Sequence, residues 1–362
     1  MSRDLRFLIL CEGQFGPLTS KTANSCIRYT PERVSAVIDS RRAGKTSQEI
    51  LGFGGHIPVV DGVERGMVQT PKPNALLIGV APTGGRLPTE WRTMILQAIG
   101  HRLEIWSGLH TFIGDDPEFA ARAREKGVEI HDLRKPPHDL PISSGRVRGV
   151  DATVVLTVGT DCNIGKMTAA LQVRDALKKR GPRVRFVGTG QTGILIEGWG
   201  TAVDAVIADF IGGASERLVL EAANDADIIL VEGQGSVIHP GYSGVTMGLI
   251  HGSCPNAMVM CHQPTRKHIG NNPWVKIPRL DKFIALHDAI VGPLRPAPVI
   301  AVSLNTYDLS LKSAKKEIAR TAKLTGLPTT DPVRFDPAPI ADAIYRFHTR
   351  RTKGPAKRKT AS

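Results

Sequence analysis

The residues best suited to chemistry cluster between Gly159 and Thr168, in the run Gly-Thr-Asp-Cys-Asn-Ile-Gly-Lys-Met-Thr. A glycine-bounded turn followed by Lys166 at the start of a helix presents backbone N–H groups and a point charge to an anion, which is how a phosphate cradle is built. Gly159, Thr160, Asn163, Gly165, Lys166 and Thr168 are therefore the expected contacts to a phosphate-bearing cofactor. Five residues separate the two glycines, and Met167, not Ser or Thr, follows Lys166. The hydroxyl that usually holds Mg²⁺ is missing or displaced to Thr168. The loop thus reads as an anion grip before it reads as an ATP-hydrolysing site.

A second set of reactive side chains follows the apolar run Asp227–Val231. Glu232 ends that run and begins Glu-Gly-Gln-Gly. In a sheet that carries a phosphate loop, such an acid faces phosphates or metal, accepts a proton, or simply caps a turn. His239 is the best-placed imidazole for acid–base work, although a lone loop histidine also serves structure; Tyr242, a candidate substrate contact, shares its loop with Ser243 and Thr246. Glu232 leads as proton acceptor, His239 follows, and Asp161 completes the catalytic candidates. Gly188–Gly193 is a glycine-rich loop at a strand end, where Gln191 and Thr192 are candidate substrate contacts. Thr168 or Thr192, with backbone N–H groups, would stabilise an oxyanion. Arg266, in the basic loop Arg266-Lys267-His268, would bind a substrate carboxylate or lie in solvent. Asn305, after the run Pro298–Leu304, would read the edge of a base.

Positioning these groups requires alternating strands and helices. Apolar, β-branched runs read as buried parallel strands at Arg6–Leu10, Val34–Ile38, Ala75–Val80, Leu103–Trp106, Thr153–Val158, Val184–Val187, Asp227–Val231, Ala257–Cys261 and Pro298–Leu304. Helical patterns lie between them, including Trp91–Ile99, Pro117–Lys126 and a helix from Lys166, with further helices over Gly213–Ala222, Ser313–Leu324 and Ile340–His348. The fold class is α/β: an N-terminal Rossmann-like parallel-sheet domain over 1–140, then a P-loop α/β domain over 141–348. A Pro-, Ser- and Arg-rich linker from Lys135 to Gly149 separates them. Asp39, after the second strand, would hold a ribose hydroxyl or cap the next turn. The turn Ala81–Gly85 ends a parallel strand, where open sheets bind ligands.

The length of 362 residues suits two domains. Aromatics make up 5 %, too few for a single-strand stacking surface. No apolar run reaches the roughly 18 residues of a membrane span, and no signal-peptide layout precedes the first strand, so a cytoplasmic protein without a membrane partner is expected. Five cysteines without a pairing pattern suit reduced thiols, and the spacing of Cys254, Cys261 and His262 matches no zinc motif; no metal ligand is assigned. The net charge is +13, of which six charges sit in residues 349–362, read as a disordered basic tail. The remaining +7 favours an anionic small molecule over nucleic acid as partner.

The run Gly159–Lys166 resembles the phosphate loop of dethiobiotin synthetase, and Val231–Gly235 resembles that family's strand end, with Met167 departing from its Thr. A resemblance spanning nearly the whole chain is to a bacterial and archaeal family that joins a Rossmann-like domain to a P-loop domain, some of whose members are D-glutamate N-acetyltransferases. It is carried by Ile38-Asp39-Ser40 with Ala43-Gly44-Lys45, Gly79–Gly85, Gly159–Thr168, Gly188–Gly193, Asp209-Phe210, Val231–Gly235 and His239-Pro240-Gly241. The resemblance implies an acyltransferase with acetyl-CoA as co-substrate, an acidic D-amino acid as acceptor, and a pathway partner of the enolase superfamily. A homo-oligomer is expected. The alternative is an ATP/Mg²⁺-dependent ligase or kinase of the dethiobiotin synthetase type, with Asp161, Thr168 and Glu232 sharing the metal and Asn305 reading adenine.

Overall fold

The computed structural model describes residues 4–80 and 87–353. The turn Ala81–Gly85 and the last nine residues of the basic tail lie outside them. Two compact units are present, one formed by residues 1–136 with 191–205 and the other by 137–190 with 206–362.

In the first unit the strands are β1 (Phe7–Leu10), β2 (Val34–Ile38), β3 (Val59–Val60), β4 (Ala75–Ile78), β5 (Glu104–Ser107) and β6 (Ile130–Asp132). Its helices are α1 (Lys21–Tyr29), α2 (Ser47–Leu51), α3 (Val63–Met67), α4 (Thr89–Gly100) and α5 (Pro117–Lys126). The strands form one parallel sheet in the order β3-β2-β1-β4-β5-β6, the doubly wound Rossmann arrangement. β1, β2 and β4 are buried at every position, which is why they read as unbroken apolar runs. Asp39 is buried with both oxygens occupied: Oδ1 accepts from Arg41 N and Oδ2 from Phe15 N. It therefore acts as a cap, the second of its two readings.

The second unit opens with β7 (Thr153–Gly159), α6 (Lys166–Lys178) and β8 (Val184–Val187). The chain then forms α7 (Gln191–Glu197), which packs in the first unit, where Leu195 joins the core. A single cut near residue 140 would leave this segment in the second domain. It returns through α8 (Ala208–Ala222), β9 (Ile228–Val231), α9 (Ser243–Ser253), β10 (Ala257–His262), β11 (His268–Ile269) and β12 (Asn272–Lys276). It finishes with α10 (Leu280–Val291), β13 (Val299–Leu304), α11 (Leu311–Thr325), β14 (Thr329–Thr330) and α12 (Ala338–Thr352). The parallel sheet runs β14-β13-β10-β7-β9-β8, so the phosphate-loop strand is central, and β11 and β12 form a separate antiparallel pair.

Several expectations are corrected. Gln191–Gly193 is the start of α7, not loop, and Ser243 and Thr246 lie on α9, not in the loop after His239. α8 begins at Ala208, five residues before the expected Gly213. These segments carry glycines that weaken helix propensity, and tertiary packing restores the helix. A Cβ at Gly252 of α9 would lie 2.1 Å from Gly212 O of α8, so the two helices approach closely because glycine is there. The β11–β12 pair and α10 had no sequence expectation. The last helix extends four residues past His348, and Arg351 donates to Asp151 O and Val150 O, so residues 349–352 are helix and not tail.

Two predictions follow from this packing. Gly252→Ala lowers stability by about 1–3 kcal/mol through overpacking, read as a fall in Tm. Gly244→Ala, on the same helix but with open space around its Cβ, leaves Tm unchanged or raises it. Equal effects at the two sites would refute close α8–α9 packing. The second prediction concerns His262 and His287, which burial holds down to about 4 from an ordinary 6.5. Between those values the unfolded chain binds more protons, so stability is full above about pH 6.5 and is lost as pH falls toward 4. Urea midpoints measured across this window should drop, and His287→Gln should weaken the dependence; a flat profile would contradict it.

Candidate active site

The phosphate loop grows from β7, which is buried along its whole length and pins the loop at the sheet centre. Asn163 and Gly165 take left-handed conformations, φ 54° and 98°, that turn the chain into α6. Lys166 is the first residue of α6 and is buried. Its Nζ donates to Asp161 O at 2.7 Å and to Gly235 O at 2.8 Å. The lysine therefore ties the phosphate loop to the loop after β9. Met167 is also buried, whereas Thr168 is half-buried in the first turn of α6.

Asp161 is fully engaged in holding that loop. Oδ1 accepts from Cys162 N at 2.7 Å, and Oδ2 accepts from Arg266 Nη1 and Gly270 N, each at 2.8 Å. Arg266 also donates to Cys162 O at 2.8 Å. Both residues were expected at the chemistry or the substrate; the structure pairs them with each other across the loop. Thr160 Oγ1 contacts His262 Nδ1 at 3.0 Å, a link to β10. Asn305 follows β13; its backbone N–H donates to His262 O, and its Oδ1 accepts from Tyr307 N.

Glu232 follows β9 and is buried. Its Oε2 accepts from Thr189 N at 3.0 Å and Gly190 N at 3.2 Å, and its carbonyl accepts from Thr189 Oγ1. Two N–H donors on one oxygen favour the carboxylate form. Gly233 is required beside it: a Cβ there would sit 1.6 Å from Thr157 O. Thr157 Oγ1 accepts from Gly233 N and donates to Val231 O, fixing where the turn leaves the sheet.

His239 lies in the turn before α9, with its ring 4.6 Å from that of Tyr242 at an angle of 41°. Its Nδ1 accepts from Gly241 N at 3.0 Å. A backbone N–H can only donate, so the neutral ring carries its proton on Nε2. His239 is thereby set as a hydrogen-bond donor, not as a proton acceptor. A ring nitrogen of His239, the Cys162 sulfur and an Asp161 oxygen lie within 4.8 Å of one another. Those three groups are of metal-ligating type, but Arg266 already occupies the Asp161 carboxylate and Gly241 N–H occupies His239 Nδ1. Cys162 had been read only as one of several reduced thiols; its place in the loop was visible, its nearness to His239 was not.

Gln191 and Thr192 lie at the start of α7. Both belong to the first unit, where Arg134 donates to Gln191 Oε1 at 2.8 Å and Thr22 Oγ1 lies 3.3 Å from Thr192 Oγ1.

Family models match both parts of the chain: a Rossmann-like domain of unknown function, DUF1611_N, over 40–136, and a P-loop domain of unknown function, DUF1611_C, over 141–341. A curated protein from Tritonibacter scottomollicae named D-glutamate N-acetyltransferase is 40 % identical over 276 residues, 74 % of this chain and 80 % of that one. Another of the same name, from a Pseudoalteromonas species, is 36 % identical over 71 % of this chain and 77 % of its own length. The crystal structure of a DUF1611 family protein from Anabaena variabilis superposes with a TM-score of 0.90 at 39 % identity, covering 94 % of this chain and 99 % of that one. The chain belongs to the DUF1611 family of two-domain Rossmann-like and P-loop proteins, and most of its length is related to curated D-glutamate N-acetyltransferases.

Proposed function

We propose that this chain is an N-acetyltransferase that moves an acetyl group from acetyl-CoA to the amine of an acidic D-amino acid, with D-glutamate the leading acceptor. The relatives' names support the reaction class and the acceptor. The observations that carry the chemistry are a buried carboxylate, Glu232, and a histidine whose Nδ1 accepts from Gly241 N, both on the chain that follows β9, where Gly235 O accepts from Lys166.

Acetyl transfer to an amine needs three things. The substrate ammonium must lose a proton, the carbonyl oxygen must be stabilised as charge builds on it, and the thiolate must leave. Glu232, oriented by the Thr189 and Gly190 N–H groups that its Oε2 accepts from, serves as proton acceptor. His239 Nε2–H, a donor because Nδ1 accepts from Gly241 N, suits the developing oxyanion. Lys166 and the loop N–H groups serve the donor's phosphates, the role a P-loop retains when buried Met167 replaces the metal-binding hydroxyl. Arg266 acts on the loop through Asp161, as a positioning residue.

Acetyl-CoA with D-glutamate should release free thiol, read with a chromogenic disulfide, and the L-enantiomer should react more slowly. If no acidic D-amino acid stimulates thiol release the reading is refuted, as it is by amine-dependent ADP release from Mg-ATP in its place. Glu232→Gln keeps an oxygen for the two N–H donors, so the fold should persist while kcat falls about 10²–10⁴-fold. Lys166→Ala should instead weaken CoA binding, read by loss of the thermal shift that CoA gives the unaltered chain. A Glu232→Gln enzyme with undiminished kcat would remove the carboxylate from the mechanism.

A further inference from the structure

A cavity of about 140 Å³ lies beside the phosphate loop, lined by His262 at the end of β10, by Arg266 and Lys267, by Arg279 before α10, and by Arg320 and Thr321 of α11. It is several times the ~30 Å³ share of one water, enough for a phosphate group and not for a whole coenzyme. Four of its lining residues are cationic and none is acidic. Arg279 and Arg320 pair with Asp281 and Glu317 through half-exposed contacts that water screens, and Lys267 Nζ donates to the neutral Pro264 O. After burial, the Lys267 and Arg320 charges do most to hold the His262 imidazole down to about 4, and Glu317 opposes them. The field inside the cavity is therefore positive.

The cavity is joined to the phosphate loop by two contacts already described, Thr160 with His262 and Asp161 with Arg266. Sheet order places them in sequence. β10 carries the cavity, its neighbour β7 carries the phosphate loop, and the next strand, β9, carries Glu232. Strands about 4.8 Å apart make that path about 10 Å across. A coenzyme with a phosphate on its adenosine end, a pyrophosphate in the middle and a thioester at the far end has its charges in the same order.

Resting on the acetyl-CoA reading, we propose that this cavity binds a dianionic phosphate monoester, the terminal phosphate on the ribose of the acyl donor. The donor then lies along the carboxyl edge of the sheet, ribose phosphate at β10, pyrophosphate at β7 and thioester towards Glu232. The pocket supplies affinity and selects the phosphorylated coenzyme; it takes no part in bond making.

The test compares CoA with dephospho-CoA by calorimetry on the full chain, unaltered and as Arg320→Ala and Lys267→Ala. The unaltered chain should bind CoA about tenfold or more tightly than dephospho-CoA. Each variant should weaken CoA binding, leave dephospho-CoA binding unchanged, and raise KM for acetyl-CoA with kcat and the acceptor KM unaltered. Arg320→Lys should recover much of the affinity, which a purely structural defect would not. Equal affinity for the two coenzymes, or a rise in the acceptor KM in place of the donor KM, overturns the assignment, the latter in favour of an acceptor carboxylate. Acetyl transfer that proceeds normally while these contrasts are absent leaves the acyltransferase reading intact and removes the pocket. No binding of either coenzyme by the unaltered chain removes both.

Discussion

A buried ammonium must be surrounded by acceptors, and at Lys166 they come from two different loops. Asp161 O belongs to the phosphate loop and Gly235 O to the loop after β9. Removing those carbonyls would strand a desolvated charge, at a cost of several kcal/mol. The lysine thus fixes the spacing between the loop that grips and the loop that carries Glu232. Gly233 and Gly235 make this approach sterically feasible, since a side chain at either would collide with neighbouring backbone.

The other buried charges around the loop are each answered locally. Asp161 meets Arg266 and two N–H groups, and Glu232 meets two N–H groups at the end of β8. Burial holds the imidazoles of His262 and His287 near 4, so these two buried rings add no charge at neutral pH.

Much of this was legible in the sequence because strands buried on both faces must be apolar throughout. β7, β8 and β9 stand within a residue of where their apolar runs place them, and so do Lys166 and Glu232 at their ends. Helices that depend on tertiary packing were not legible. α9 contains Gly244, Gly248 and Gly252, which local propensity reads as loop, yet Gly252 is what permits contact with α8. Side-chain roles were the least legible. Arg266 looked like a substrate contact and Asp161 like a catalytic acid, but their ion pair joins residues 105 positions apart. The tautomer of His239 depends on one backbone N–H two residues away, a bond that no motif encodes.

In the proposed acyltransferase, a small change in donor set puts the P-loop to a different use. In a nucleotide-hydrolysing loop, the residue after lysine offers a hydroxyl to Mg²⁺, and the metal neutralises charge that develops on the phosphate. Met167 offers a thioether, and it is buried in the packing of α6. What the loop retains is the part that acts on ground-state charge: N–H groups, a helix N-terminus and Lys166. Such a site holds a polyanion without activating its phosphates. For the proposed acyl transfer that would suffice, because the bond to be broken lies at the other end of the coenzyme and the phosphates would serve only as a handle. On that proposal, binding energy gathered at the handle would orient the thioester toward Glu232 and His239, where the charge would change during reaction.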